Sequence, residues 1–112
     1  MHELSITMNI VAIVTEAAHG RPVRRVTLEV GKLSGVMSDA IAFCFEVVAR
    51  GTTAEGAELE IREIDGSARC RSCGAEFETD TLFQPCLCGS RKLDRLRGEE
   101  LKIKSIEIME TV

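Results

Sequence analysis

A cluster of four cysteines within nineteen residues is the feature that most constrains how this chain can fold. Two residues separate Cys70 from Cys73, one separates Cys86 from Cys88, and twelve lie between the two pairs. This layout is close to the spacing of four-cysteine zinc sites. Four thiolates complete a tetrahedron and leave no open position for a catalytic water. The spacing therefore predicts a structural Zn(II) site, with a redox-active dithiol, an iron–sulfur cluster or disulfides as alternatives.

The stretch that contains these cysteines cannot build a core without help. Residues 66–98 hold few large apolar side chains and show no helical period, so they bury too little surface to fold alone. They carry six basic and four acidic residues, whereas the rest of the chain has a net charge of minus six. We expect residues 67–98 to form an inserted zinc-binding domain. Residues 1–66 would form the body, which a final strand in residues 99–112 completes.

Two segments outside this insert carry apolar residues at helical spacing. The first spans residues 5–18, and Gly20 and Pro22 end it. The second spans residues 38–50, with Ser38 as its predicted N-cap. The predicted buried stripes are Ile6, Ile10, Ile13, Val14 and Ala17 in the first helix and Ile41, Cys44, Phe45 and Val48 in the second. Cys44 is therefore interpreted as a small core residue and not as a metal ligand.

Three further segments alternate apolar and polar residues, as strands do. They are residues 24–30, 58–65 and 100–109. In the last segment the apolar positions change parity between Ile103 and Ile106, which predicts a β-bulge near Ser105. Helices and strands in this number predict an α+β fold, in which two helices pack on a small mixed three-stranded sheet. The four-cysteine zinc-binding module is then inserted before the last strand.

Composition argues against nucleic acid and membranes as partners. The 112-residue chain has a formal charge of minus four and contains no Trp or Tyr, whereas phosphate-backbone binding needs basic surface and stacking side chains. Its apolar runs fall far short of the roughly 20 residues that span a bilayer. The start of the chain also lacks the basic residues of a secretory signal. We therefore expect a cytoplasmic protein whose cysteines stay reduced.

The amino terminus offers a second set of metal ligands. A bulky second residue, here His2, blocks removal of Met1, so the mature chain is expected to keep both. An α-amine, an imidazole and backbone amides can surround a metal as a nitrogen-rich plane that suits Ni(II) or Cu(II), and Glu3 adds a carboxylate. A His in this position is more often only a solvated terminal residue. The residues alone leave both interpretations open, whereas His19 is expected to cap the first helix.

Four motifs, spread along the whole chain, together resemble the HypA/HybF family of nickel-insertion accessory proteins for [NiFe]-hydrogenase maturation. They are Met1-His2-Glu3-Leu4-Ser5, Gly31-Lys32-Leu33-Ser34-Gly35-Val36, Cys70-Arg71-Ser72-Cys73-Gly74 and Cys86-Leu87-Cys88-Gly89-Ser90. The chain departs from the family at the last motif, because the usual pattern has two residues between the cysteines of each pair. This departure affects the geometry of the second turn more than zinc binding itself.

The resemblance implies a nickel metallochaperone and not an enzyme. It places Ni(II), the cargo, on the amine of Met1, the imidazole and amide of His2 and the amide of Glu3, with the Glu3 carboxylate in support. It places structural Zn(II) on Cys70, Cys73, Cys86 and Cys88. Nickel would be delivered to a [NiFe]-hydrogenase large subunit with a hydrogenase-maturation GTPase, and whether urease also receives it is left open by the sequence. The chain would be a monomer or a weak homodimer.

Two other functions are open on the residues alone. A zinc ribbon could bind nucleic acid or protein through the basic insert, although its charge of plus two is small. A dithiol oxidoreductase would need a cysteine pair with a lowered pKa. The pair Cys70 and Cys73 neither follows a predicted strand nor opens a predicted helix, which is the setting that lowers the pKa of a thiol.

Overall fold

The computed structural model describes residues 2–81 and 83–109 of the chain. Within that part lie two helices and six strands, which form two three-stranded sheets. In chain order the elements are α1 (Glu3–Ala18), β1 (Val23–Gly31), α2 (Ser38–Val48), β2 (Glu58–Ile64), β3 (Gly66–Cys70), β4 (Glu76–Thr79), β5 (Leu93–Arg97) and β6 (Leu101–Ile108). Neither of these helices has the length and apolar character needed to cross a bilayer.

The first sheet has the order β2-β1-β6 and is mixed. Strand β1 pairs with β2 in parallel through the α2 crossover, and with β6 antiparallel. The β1–β6 register moves from Thr27 opposite Ser105 to Leu28 opposite Ile103, so Lys104 is the extra residue of a bulge. The predicted α+β fold, its mixed sheet and the bulge near Ser105 are therefore confirmed.

Helix α1 buries a different stripe from the predicted one. Thr7, Val11 and Ala18 are buried, whereas Ile13 and Ala17 are exposed, so the prediction was wrong at these last two positions. The Thr7 hydroxyl donates to the Glu3 carbonyl at 2.7 Å, and this bond satisfies its oxygen inside the core. Apolar residues surround most of α1, so helical spacing alone could not decide which of them face the sheet.

Helix α2 follows the predicted stripe but begins differently. Ile41 and Phe45 are buried, and Cys44 is half-buried beside them. Ser38 is the first helical residue and Met37 is the N-cap, and this cap forms no side-chain hydrogen bond. The prediction of Ser38 as N-cap was therefore wrong. A carboxylate from the neighbouring helix binds the Met37 amide instead, as described below.

The cysteine-containing segment forms a second sheet, with the order β4-β3-β5 and antiparallel pairing throughout. Its strands are only four or five residues long, and few of their side chains are apolar. Strands this short carry too little alternation to be predicted from sequence. Residues 110–112, which belong to the predicted final segment, lie outside the described part of the chain.

The loop that follows β1 joins the two sheets. Leu33 is buried, and its amide donates to the Gly98 carbonyl at 2.7 Å. A Cβ atom added to Gly66 would lie 2.6 Å from the Leu33 Cδ1 atom, and one added to Gly98 would lie 2.6 Å from the Gly66 Cα atom. Lys32 also forms an ion pair of 2.6 Å with Asp65, the single residue that connects β2 of the first sheet to β3 of the second. The two glycines thus make the space in which Leu33 packs.

Candidate metal centres

The four cysteines lie on two tight turns at one end of the second sheet. Cys70 is the last residue of β3, and the Gly74 amide donates to its carbonyl at 2.9 Å. The Gly89 amide donates to the Cys86 carbonyl at 2.8 Å in the same manner. Both glycines have a positive φ, 78° at Gly74 and 91° at Gly89, which lets each turn reverse directly after its second cysteine.

The two turns bring all four sulfur atoms together. The Sγ atoms of Cys70 and Cys88 are 3.7 Å apart, those of Cys73 and Cys86 are 3.6 Å apart, and all four lie within 4.8 Å of one another. A tetrahedral metal with bonds of about 2.3 Å to sulfur has sulfur–sulfur edges of about 3.8 Å. The cluster therefore has the size of a tetrahedral four-thiolate site.

The single residue between Cys86 and Cys88 does not prevent this geometry. Each of the two short sulfur–sulfur contacts joins one cysteine from each turn, so the turns share the site equally. Cys70 and Cys86 are buried, whereas Cys73 and Cys88 are exposed. Leu87, which the tight second turn projects outward, is fully exposed. A bound ion would therefore be shielded on one side and reachable from solvent on the other.

The thiols differ in acidity. Backbone N–H groups of Cys73 and Ser72 donate to the sulfur of Cys70 and lower its pKa to about 6. The Cys88 N–H lowers the pKa of Cys86, but burial and the three neighbouring thiols outweigh it and raise that pKa to about 12. Four thiolates this close repel one another, so all four can ionise together only around a cation. The donor set thus fits a soft divalent metal.

Polar side chains next to the cysteines hold the two turns together. The Ser72 hydroxyl donates to the Ser90 hydroxyl at 2.9 Å, which joins the first turn to the second. Arg71 forms an ion pair of 2.6 Å with Asp94 on β5. Arg71, Ser72 and Ser90 belong to the family motifs, but the sequence predicted no role for any of these four residues, because only their position beside the cysteines marks them. They fix the turns independently of the sulfur atoms.

The amino-terminal residues form the second candidate centre. Met1 lies outside the described residues. His2 is exposed and extended (φ −82°, ψ 133°) as the N-cap of α1, and Glu3 is the first helical residue. The Glu3 Oε2 atom accepts a hydrogen bond of 3.2 Å from the Met37 amide, which lowers the pKa of Glu3. This contact ties the start of α1 to the start of α2.

The remaining candidate residues lie away from both centres. His19 is the C-cap of α1 and adopts a left-handed backbone conformation with φ 52°, which confirms its predicted position. Within residues 2–81 and 83–109, the four cysteines are the one group of three or more His, Cys, Asp or Glu side chains whose ligand atoms converge. Cys44 is not part of that group.

Comparisons with known proteins agree with the fold and identify the family. The sequence profile of the family described as "Hydrogenase/urease nickel incorporation, metallochaperone, hypA" matches residues 1–108. The chain belongs to the HypA family. It is a nickel metallochaperone of hydrogenase maturation, and the resemblance noted in the sequence is confirmed.

Relatives in the HypA family match almost the whole chain. Hydrogenase maturation factor HypA of Trichormus variabilis is 62% identical over 110 residues, which are 98% of this chain and 97% of that protein. The corresponding factor of Geobacter metallireducens is 49% identical over 109 residues, 96% of this chain and 99% of that protein. A solution structure of the Ni metallochaperone HypA from Helicobacter pylori has a TM-score of 0.70 at 22% identity. The match covers 99% of this chain and 100% of that chain. At that identity the likeness supports the fold alone.

Proposed function

We propose that this metallochaperone binds Ni(II) through Met1, His2 and Glu3 and delivers it to the large subunit of a [NiFe]-hydrogenase. The observation that carries the proposal is the position of His2 and Glu3 at the start of α1. The first hydrogen bond of that helix runs from the Ile6 amide to the His2 carbonyl, so the amides of His2 and Glu3 have no partner within the helix. Those two amides and the exposed imidazole are therefore free to become ligands.

Nickel bound in this way would be cargo, held by ligands that can release it. Deprotonated amides, an amine and an imidazole favour a planar Ni(II) site, and such a site also accepts Cu(II). The ligands must lose protons to bind and regain them when the metal leaves, so transfer to an acceptor is reversible. A hydrogenase-maturation GTPase would assist this transfer in the cytoplasm. Urease, which the family description includes, is a second recipient.

Zinc is the metal that we assign to Cys70, Cys73, Cys86 and Cys88. Its four thiolate ligands, its preferred tetrahedron and its bond length of about 2.3 Å fit the separations of the sulfur atoms. A closed four-thiolate site has no position for substrate, which supports a structural role and a carrier rather than an enzyme. Bound zinc would supply about 10–16 kcal/mol of binding energy to a segment with little core.

We further propose that residues 67–98 fold as a zinc-binding domain inserted into a nickel-binding body, formed by residues 1–66 and 99–112. Strands β3, β4 and β5 pair only with one another among the described strands, which supports this division. The protein would act as a monomer or a weak homodimer, without nucleic acid or membrane insertion.

Metal analysis of the untagged chain tests the nickel site. With Ni(II) added we expect one zinc and one removable nickel per chain, measured by plasma mass spectrometry and calorimetric titration. His2→Ala should abolish stoichiometric nickel and leave zinc unchanged, because it removes the imidazole. His19→Ala is the matched control, since it removes the other histidine of the chain, and it should keep the nickel.

Blocking the amine provides an independent test of the same site. An added N-terminal tag should abolish nickel binding just as His2→Ala does, while zinc stays. A tagged chain that still bound one nickel with unchanged affinity would contradict the proposal and move the site elsewhere.

A further inference from the structure

Each of the two helices exposes a pair of large apolar side chains. Leu4 and Met8 lie one turn apart on α1, and Phe43 and Val47 lie one turn apart on α2, so each pair occupies a single helix face. Their exposed fractions range from 46% for Val47 to 62% for Phe43. Apolar side chains of this size are rarely left together in solvent unless the surface binds something.

The two pairs lie on neighbouring faces. Helices α1 and α2 pack against each other, and the bond between Glu3 and the Met37 amide joins their N-terminal ends, so the helices run in the same direction. On α1, Ile6 and Ile13 line a groove against β6. At 100° per residue Leu4 and Met8 lie on the opposite flank, which is the flank that faces α2.

On α2, Ile41 and Phe45 face the core, so Phe43 and Val47 point away from the sheet. By this helical geometry the four exposed residues lie on adjoining flanks of the two helices, and we call them the helix-pair surface (Leu4, Met8, Phe43 and Val47). It begins beside His2 and Glu3.

The charged side chains within the two helices have one sign. The ionisable residues within the two helices are all acidic, namely Glu3, Glu16, Asp39 and Glu46. The Lys and Arg side chains nearest to the helices in sequence, Arg21 and Arg50, follow their C-terminal ends, away from the Glu3–Met37 contact. A second copy of this surface would bring acidic residues against acidic residues, so self-association through it is disfavoured.

We propose that the helix-pair surface is the docking site for a partner protein whose contact surface is an apolar patch rimmed by Lys and Arg. Phe43 supplies an aromatic anchor and Met8 an adaptable contact, both of which are common in protein interfaces. The inference rests on the proposed nickel site, because docking here brings the partner next to His2. We therefore expect the partner to be a protein that takes part in nickel transfer, either the one that receives nickel or the one that assists its transfer.

Titration of the purified full-length chain with the hydrogenase-maturation GTPase, and separately with the hydrogenase large subunit, tests the proposal. We expect at least one of these proteins to bind the wild-type chain, and its Kd to rise about tenfold or more in Phe43→Ser, as for the loss of an interface anchor. Met8→Ser, on the other helix, should weaken the same binding. Both side chains lie outside the core, and circular dichroism and zinc content report whether each variant is folded.

Charge reversal tests the predicted basic rim of the partner. The double variant Asp39→Lys/Glu46→Lys should weaken binding and flatten its dependence on salt, because attraction between the two surfaces is lost. The matched control is Phe83→Ser, which removes a phenylalanine of 78% exposure from the cysteine-containing segment. It should change the Kd by less than about twofold, since contacts outside an anchor cluster are nearly neutral.

Four results would overturn the inference. The first is that neither protein binds the wild-type chain, and the second is that Phe83→Ser weakens binding as much as Phe43→Ser. The third is tighter binding after charge reversal, and the fourth is a wild-type dimer that Phe43→Ser converts to monomer in sedimentation, with no partner bound. Nickel stoichiometry in the same variants separates this inference from the proposed function. Docking that fails while nickel stays on His2 removes only the helix-pair surface.

Discussion

Leu33 is the residue at which the two sheets meet, and two glycines, Gly66 and Gly98, lie close against its side chain. Its side chain packs against Gly66 and Gly98, and its amide binds the Gly98 carbonyl. Gly98 has a φ of 112°, which L side chains rarely adopt, whereas Gly66 needs to be glycine for space alone. A single methyl group at Gly66 would therefore test how tightly the joint is packed.

Gly66→Ala should lower the free energy of unfolding by about 3 kcal/mol, the upper end of the usual overpacking cost. The new Cβ would lie 2.4 Å from the Thr79 carbonyl oxygen and 2.6 Å from the Leu33 Cδ1 atom, so backbone must move. Gly35→Ala is the comparison, because its Cβ would meet nothing within 4 Å and only its φ of 77° is unfavourable. It should cost about 1 kcal/mol. Equal losses in urea unfolding would show that crowding at the joint is unimportant.

At the scale of elements, β1 and β6 are joined by charge as well as by hydrogen bonds. Glu29 on β1 is largely buried, and it accepts Lys102 at 3.2 Å and Lys104 at 3.7 Å from β6. Lys102 lies directly opposite Glu29 in the register, and Lys104, the extra residue of the bulge, reaches the same carboxylate.

The Glu29 ion pairs should make stability depend on pH. The hydrogen bond from Lys102 is the main cause that lowers the pKa of Glu29 below its ordinary value of 4.5. A lowered folded-state pKa means that the carboxylate stabilises the fold above pH 4.5, and that this contribution disappears as the pH falls through the folded-state value. Glu29→Gln should therefore be less stable than wild type at pH 7, with the difference closing in acid.

Urea unfolding of both proteins at each pH measures this difference. Glu55→Gln, in the exposed loop before β2, is the control and should follow the wild-type curve. A difference between Glu29→Gln and wild type that stayed constant from pH 7 to about pH 3 would contradict a role for the carboxylate charge.

The whole molecule is elongated, with extents of 59 × 26 × 17 Å, and its two sheets differ in what stabilises them. The sheet β2-β1-β6 packs against both helices, and the sheet and helices together contain most of the buried apolar residues. The sheet β4-β3-β5 buries only small side chains, those of Ser67, Ala68, Cys70 and Thr79. Removal of metal should therefore affect the two parts unequally.

Cys73→Ala should release zinc and unfold residues 67–98 while both helices persist, because the helices have their own apolar core. Amide hydrogen exchange would show lost protection in β3, β4 and β5 and retained protection in α1 and β1. Cys44→Ala is the matched control, since Cys44 is half-buried on α2 and outside the cluster. It should keep its zinc and cost about 1 to 3 kcal/mol at most. Loss of helicity throughout Cys73→Ala would refute the division into two units.

The sequence by itself determined the features that depend on neighbours along the chain. Periodicity located α1, β1, α2, β2 and β6 to within about two residues at most ends, and the change of parity located the bulge. The spacing of the cysteines and the glycines after them specified two turns with four converging thiols. Side-chain spacing is a local property of helices, strands and turns, so it can be read without the fold.

Only the tertiary structure decided the features that join distant parts of the chain. It selected Thr7 over Ile13 as a core residue of α1 and placed Leu33 in the joint between the sheets. It also brought the sulfur atoms of the first turn within 3.7 Å of those of the second. It also bound the Glu3 carboxylate to the Met37 amide, across 34 residues of sequence. Such contacts depend on how the helices and sheets pack in three dimensions, and a pattern confined to one segment contains no information about the segment that packs against it.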